Sequence, residues 1–340
     1  MVKRTITGIV KSGVSPILFA VGMDTLLQRL GGNKRGVIMY HGISSGNCFK
    51  INGRHLPAKE FEKHLQYYQK QFSILPLSEL FRLKRENIIH KRPTIALTFD
   101  DGYSNNLEVA LPLLEKYKMP ATFFINTFPL DSPGAIHGCD LLEIGCAFTN
   151  TKEVELGGIT FRNAGKYRWN SETGQDIYDF LRQHKPEEKT RLINEWKERY
   201  AINKHLATLN KECFTLMNEA QIKQVAQSPL IEIGSHTHSH HLLTLLTDTE
   251  LTYELQHSKS VLENLTGRKI ESIAFPDGYY NDRVIEYCHK TGYKNLVAVG
   301  LNKDGDKNIP DLVPRVGTAN TDGLAFNALR INFLLKKYGF

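Results

Sequence analysis

The chain is poor in the residues that staple small folds. It holds five cysteines and two tryptophans in 340 residues. Cys48, Cys139, Cys146, Cys213 and Cys288 are odd in number and scattered, with no C-x-x-C pair among them. That pattern argues against a disulfide framework and against a cysteine zinc site, and reads as free thiols in a reducing compartment. Long apolar runs are also missing: Val14 to Met23 is about half the length needed to cross a bilayer. After Lys3 and Arg4 the apolar stretch is interrupted at Lys11, a poor match to a signal peptide. A cytoplasmic protein is expected, and the basic, partly apolar N-terminal segment suits peripheral contact with a membrane surface. Internal repeats, low-complexity tracts and blocks of like charge are absent too. The net charge of +7 is a weak signal at this length, and no basic patch interleaves with aromatics. No nucleic-acid partner is expected.

What is present is the composition of a folded protein, 41% hydrophobic and 23% charged, long enough for one large domain or two ordinary ones. Apolar, β-rich runs at 36–40, 94–99, 121–125, 230–234, 270–275 and 294–299 read as strands. Between them, 57–72, 107–117, 249–265 and 282–291 carry helical spacing and helix boundaries. This alternation implies a parallel sheet. Ionisable or polar residues stand where strands end, at His41, Asp100-Asp101, Ser235-His236 and Pro276-Asp277. The C-terminal strand ends form the active face of a (β/α) barrel, so an α/β fold with an irregular barrel is the expectation. The rhythm fails between about 128 and 217, a stretch too long for a loop, which reads as an inserted subdomain. The expected layout is an N-terminal helical segment over 1–35, the barrel over 36–320 around that insertion, and a C-terminal helix over 321–340.

Two clusters carry chemistry. In Thr98-Phe99-Asp100-Asp101-Gly102, adjacent carboxylates at a strand end point in different directions, so one could ligate a metal while the other takes a proton. Asp-Asp-Gly is also a common turn. The second cluster is Ser235-His236-Thr237-His238-Ser239-His240-His241. His236 and His240 are four apart, so one helical turn would put both imidazoles on one face. His238 would point elsewhere. Two imidazoles and a carboxylate are a common ligand set for a catalytic zinc with open positions. Such an ion polarises a carbonyl while a spare carboxylate acts as base.

These residues resemble the motifs of the NodB-homology polysaccharide deacetylases. Thr98 to Gly102 matches the family's T-F-D-D-G, and His236 to His240 matches its H-[ST]-x-x-H. The resemblance implies Asp100 as general base, and Asp101, His236 and His240 as ligands of a divalent metal, zinc foremost. It also implies that Thr237 supports the loop by hydrogen bonding. A third motif is approximated by Ala274-Phe275-Pro276-Asp277-Gly278-Tyr279. The family's late Leu-x-His is missing, since no histidine follows His289. One branch, acting on poly-N-acetylglucosamine, instead carries an early histidine, and Met39-Tyr40-His41-Gly42-Ile43 is similar, which points to His41 as general acid. Pro314-Arg315-Val316 resembles a late segment whose arginine would orient Asp100.

The implied activity is metal-dependent removal of an N-acetyl group from an amino sugar in a polysaccharide, oligosaccharide or lipid-linked glycan. A non-sugar amide or imide hydrolase on the same fold, and a non-catalytic glycan-binding protein, are the rivals. In the insertion, Tyr167, Arg168 and Trp169 could offer stacking and anion contacts to a saccharide, although such a trio is more often ordinary packing.

Overall fold

Seven short strands with almost wholly buried side chains form the centre of the protein. The structure, a computed structural model, describes residues 14–32, 34–165, 168–318 and 323–339. The strands are β1 (Arg35–Tyr40), β2 (Thr94–Phe99), β3 (Ala121–Ile125), β4 (Ile231–Ser235), β5 (Ser272–Ala274), β6 (Asn295–Ala298) and β7 (Leu312–Gly317). They run parallel in the order β1-β7-β6-β5-β4-β3-β2, and β2 returns to pair with β1, closing the barrel. Both faces of each strand are covered, which is why the runs are continuously apolar rather than alternating.

Strand periodicity sorts the two faces. Val37, Ala96, Phe124, Ala274, Val297 and Val313 pack with Leu77, Leu80 and Phe81 of the helix Leu77–Arg85. Their neighbours Ile38, Ile95, Leu97 and Phe123 belong to the larger core shared with the surrounding helices. Those helices begin and end where the sequence provides caps. Thr247 and Glu250 form a capping box on the helix Asp248–Thr266, and Gly267 closes it with a left-handed φ of 66°. At either end of the chain, the helices Ser15–Ala20 and Met23–Gly31 contact the helix Leu324–Tyr338. No helix among the described residues is long and apolar enough to cross a membrane.

Between β3 and β4 the chain builds a separate cluster. Three antiparallel strands, Glu153–Leu156, Ile159–Gly165 and Arg168–Asn170, pack with helices that include Gly138–Phe148 and Pro186–Arg199. Trp196 fills its centre and donates from Nε1 to the Leu141 carbonyl at 2.9 Å. Trp169 is 3% exposed and belongs to this core, so it offers no stacking face to a saccharide. Arg168 is exposed, and Tyr167 lies outside the described residues.

The thiol reading needs correction. Cys48 and Cys213 are joined in a disulfide with Cα atoms 5.1 Å apart, and Cys139, Cys146 and Cys288 are free. The bridge ties the loop after β1 to the far end of the inserted stretch. Its two cysteines are 165 residues apart, so spacing along the chain carried no sign of the pair.

Candidate active site

On three of the barrel strands the inward face changes from apolar to ionisable towards the C-terminal end. On β2 the series is Ala96, Thr98, Asp100; on β1 it is Val37, Met39, His41; on β7 it is Val313, Arg315. Arg315 therefore reaches Asp100 across the barrel mouth. Its two terminal nitrogens donate to the two Asp100 oxygens at 2.6 and 2.7 Å. Arg315 is 4% exposed and Asp100 2%, and the guanidinium lies 5.5 Å from the centre of the Phe124 ring. Burial alone would raise the Asp100 pKa; the Arg315 charge, with His236 and His41, outweighs it and holds the carboxyl below its usual range.

Asp101 would face outward if β2 continued straight. Instead its backbone is left-handed, with φ of 71°, and Gly102 follows at 74°. The second carboxylate thus turns into the same pocket. Its Oδ1 is buried without a hydrogen-bond partner, 3.4 Å from His236 Nε2 and 3.5 Å from His240 Nε2. Burial pushes the Asp101 pKa up, yet His137, His236, His41 and His240 hold it well below the carboxylate range.

The histidine pair is not helical, contrary to the spacing argument. Residues 236–240 form a loop after β4, bent by left-handed Thr237 (φ 67°) and His240 (φ 54°). His236 Nδ1 donates to the Ala274 carbonyl at 2.9 Å, which leaves Nε2 facing the carboxylates. Asn126 donates to the His236 carbonyl, and Glu254 accepts from the backbone of His238 and Ser239 at 2.8 Å each. Thr237 contributes its backbone N–H, bonded to Ser235 Oγ at 3.1 Å, while its hydroxyl is buried without a partner. The hydrogen bonding expected of Thr237 therefore comes through its backbone and not through its hydroxyl. Of the seven non-glycine residues with positive φ among those described, Asp101, Thr237, His240 and Asp277 all belong to this pocket or its loop. Strained backbone concentrates at functional sites.

A metal ion suits the donor set. Ligand atoms about 2.0–2.1 Å from a tetrahedral zinc lie roughly 3.3–3.4 Å apart, close to the observed 3.4 and 3.5 Å. One ligand atom from each of Asp101, His236 and His240 lies within 4.8 Å of the others. The orphaned Asp101 oxygen points to the same conclusion.

His41 lines the pocket with Asp100 and Asp101. Burial lowers its pKa, and the charges of Asp101 and Asp100 partly oppose that. The cavity has a volume of about 450 Å³, and much of its wall comes from the inserted stretch, including Ile136, Leu141, Tyr178, Leu181, Arg182 and Ile193.

Sequence reasoning missed two of the wall residues. His137 is 3% exposed, its Nε2 has no partner, and its ring centre is 5.2 Å from that of His240. Arg54 reaches the pocket while pairing with Asp140 and, at 3.4 Å, with Glu143 on the helix Gly138–Phe148. Tyr103 and Asn52 add hydrogen bonds to Asp140 at 3.0 and 2.7 Å. A lone histidine and an arginine on separate loops have no local pattern that could reveal this convergence.

A parallel barrel whose mouth gathers two carboxylates, an arginine and a histidine pair defines a class of hydrolase-type sites, and comparison with known proteins supplies the family. The polysaccharide deacetylase family model matches residues 88–134 and 151–296, and the chain belongs to that family. This family is metal-dependent, and Asp101, His236 and His240 are a group here that could hold the ion. The Bacillus subtilis protein YxkH, named as a polysaccharide deacetylase, is 25% identical over 262 residues, or 77% of this chain. The chain spans 63% of the length of that curated relative. Among solved structures, the Streptococcus pyogenes deacetylase PplD, in complex with acetate, has 18% identity and a TM-score of 0.55. That match covers 84% of this chain and 93% of the other. IcaB from Ammonifex degensii also has 18% identity and a TM-score of 0.55, covering 88% of this chain and 98% of the other. These likenesses establish the fold.

Proposed function

We propose that this chain hydrolyses the N-acetyl group of an amino sugar, carried in a polysaccharide, oligosaccharide or lipid-linked glycan, and releases acetate. The observation that carries this reading is the pairing of two differently held carboxylates. Asp100 is clamped by Arg315, while Asp101 has an oxygen left free between His236 and His240. Asp101, His236 and His240 would hold a divalent metal, zinc foremost. When bound, that ion supplies a Lewis acid for the acetamide oxygen and the charge it develops.

Asp100 takes a proton from the attacking water. The bidentate guanidinium fixes the carboxylate's orientation and keeps it ionised, at the expense of basicity. His41 donates a proton to the departing amine. Burial lowers its pKa at rest, and negative charge developing in the pocket during attack favours the protonated form when the proton is needed. The apolar side chains Leu141, Leu181, Ile193 and Phe275 line the wall and restrict water. Arg54 and Arg182 in the same wall are paired with acids, Asp140 and Glu143 for the first and Asp179 and Asp277 for the second. Lys189 is therefore the wall cation that favours a substrate carrying negative charge, such as a phosphate-linked glycan.

Peripheral membrane contact through the N-terminal segment belongs to the same proposal, and its support is that Ile17 and Val21 are 65% and 71% exposed, with Leu26 and Leu30 exposed beside them. The cytoplasmic expectation rested on free thiols and on the poor match to a signal peptide, and the Cys48–Cys213 bridge removes the first of these supports.

The test combines metal analysis with acetate release from a panel of N-acetylated sugars. About one ion per chain at this site, lost with activity in His236→Ala plus His240→Ala, is the expected result. Loss of neither would overturn the reading, and metal binding without acetate release from any sugar would move the substrate to a non-sugar amide.

A further inference from the structure

The middle histidine of the loop, which the catalytic reading leaves idle, faces a second group of metal-type donors. His238 Nε2 lies 3.5 Å from Asp131 Oδ2, and His257 Nε2 lies 3.6 Å from the same oxygen. One ligand atom from each of Asp131, His238 and His257 lies within 4.8 Å of the others. Both contacts are too long for good hydrogen bonds. They match the spacing in the catalytic group, 3.4 and 3.5 Å, and approach the roughly 3.3–3.4 Å expected between ligands of one tetrahedral ion.

The surroundings orient these side chains as ligands. Thr127 Oγ1 and His238 Nδ1 are hydrogen-bonded at 2.8 Å, so the other nitrogen is aimed at Asp131. A hydrogen bond on the distal nitrogen is the usual support of a metal-bound imidazole. His257 stacks on Tyr253 with ring centres 4.8 Å apart and an 11° tilt, and its Nε2 is buried without a partner. The two imidazoles meet edge to face at 4.7 Å. Asp131, at the end of the helix Phe128–Asp131, has a side chain 54% exposed, which leaves room for water to complete the coordination.

We propose that Asp131, His238 and His257 bind a second divalent ion of the zinc type, separate from the catalytic group. A set of two imidazoles and one carboxylate is zinc-like rather than calcium- or magnesium-like, because the latter ions prefer all-oxygen shells. The ion ties three segments together: the start of the inserted stretch, the loop that carries His236 and His240, and the helix Asp248–Thr266. That helix already holds the loop through Glu254, which accepts from His238 and Ser239. A bound ion would lock the loop from its outer side without touching substrate.

The test is zinc titration of metal-free full-length protein by calorimetry, with metal per chain measured after dialysis. Wild type is expected to take up two equivalents, and Asp131→Asn plus His257→Gln one. His236→Ala is also expected to keep one, held at the outer site, and all three changes together to keep none. The second equivalent should raise Tm in a separate step that Asp131→Asn plus His257→Gln lacks and His257→Asp, which preserves a ligand, restores. Far-UV circular dichroism checks that each variant is folded. A single equivalent in wild type, lost in His236→Ala, would overturn the second site and leave the proposed catalytic metal standing. A second equivalent that persists in Asp131→Asn plus His257→Gln would overturn it too.

Discussion

Replacing Asp100 with asparagine, alone and together with Arg315→Met, separates base catalysis from both folding and metal binding. Both Asp100 oxygens accept from Arg315, at 2.6 and 2.7 Å, in a pair almost closed to solvent. An asparagine amide keeps one acceptor and sets an NH₂ donor against a guanidinium donor, which leaves Arg315 as a buried cation without its counter-charge. Breaking such a pair costs about 3–5 kcal/mol. Loss of a general base slows turnover by about 10²–10⁴-fold, or about 3–5 kcal/mol on the barrier. The two losses are similar in size, so the single variant cannot separate them. The discriminating partner is Asp100→Asn with Arg315→Met, which removes both charges. It should regain most of the stability in urea unfolding, because a buried ion pair contributes little net over apolar packing, and regain none of the acetate release. Metal per chain should stay at the wild-type value in both, since Asp101, His236 and His240 are unchanged. Near-normal acetate release from Asp100→Asn with its metal intact would refute the assignment of the base. A double variant as unstable as the single one would refute the electrostatic argument.

The remaining predictions concern the seam between barrel and insertion. Cys48→Ser with Cys213→Ser opens a closure of 165 residues, worth up to about 5 kcal/mol in the chain-entropy account; a reducing agent should lower Tm in wild type and leave the variant unmoved, and equal sensitivity of the two would count against the bridge. Burial pushes the Glu143 carboxyl up to about 7 despite Arg54 beside it. The native state therefore binds this proton more tightly than the unfolded chain, and the contribution, present below the unfolded pKa near 4.5, is lost as pH rises towards 7. That is about 3 kcal/mol, and Glu143→Gln should flatten this limb of the stability–pH curve; an unchanged limb would exclude Glu143 as its source. At Gly145 an added Cβ would lie 2.5 Å from the Trp196 indole, so Gly145→Ala should cost about 1–3 kcal/mol, visible as altered near-UV dichroism of the indole with catalytic metal content unchanged.

The barrel was legible because its signals are local. Each strand is a short apolar run, and a polar residue at its end marks the catalytic face, as at Thr98-Phe99-Asp100. Recognition of the paired motifs then narrowed the reading to one family. Three features escaped because none is written in neighbouring residues. Spacing of four suggested a helical turn for His236 and His240, whereas the imidazoles converge through a loop with two left-handed residues, held by Asn126 and Glu254. Cys48 and Cys213 meet only because the inserted stretch folds back over the mouth of the barrel. His137 and Arg54 become wall residues through the same long-range packing.

The adjacent carboxylates show how a one-residue change of backbone sets a division of labour. Alternation along β2 sends Asp100 inward above Ala96 and Thr98, where Arg315 from β7 is already on the same interior face. Continued alternation would send Asp101 to the outside of the barrel, towards the apolar core shared with the helices, where burying an ionised carboxylate is costly. The left-handed turn at Asp101 and Gly102 instead swings the second carboxylate over the strand end, towards imidazoles supplied by the loop after β4. Gly102 is confined there: its absent Cβ would meet Ile125 at 3.2 Å, and its φ of 74° disfavours any side chain. The turn therefore favours glycine directly after the two acids. One carboxylate can then be saturated by a guanidinium while its neighbour keeps an oxygen free, although the two residues are consecutive in the chain.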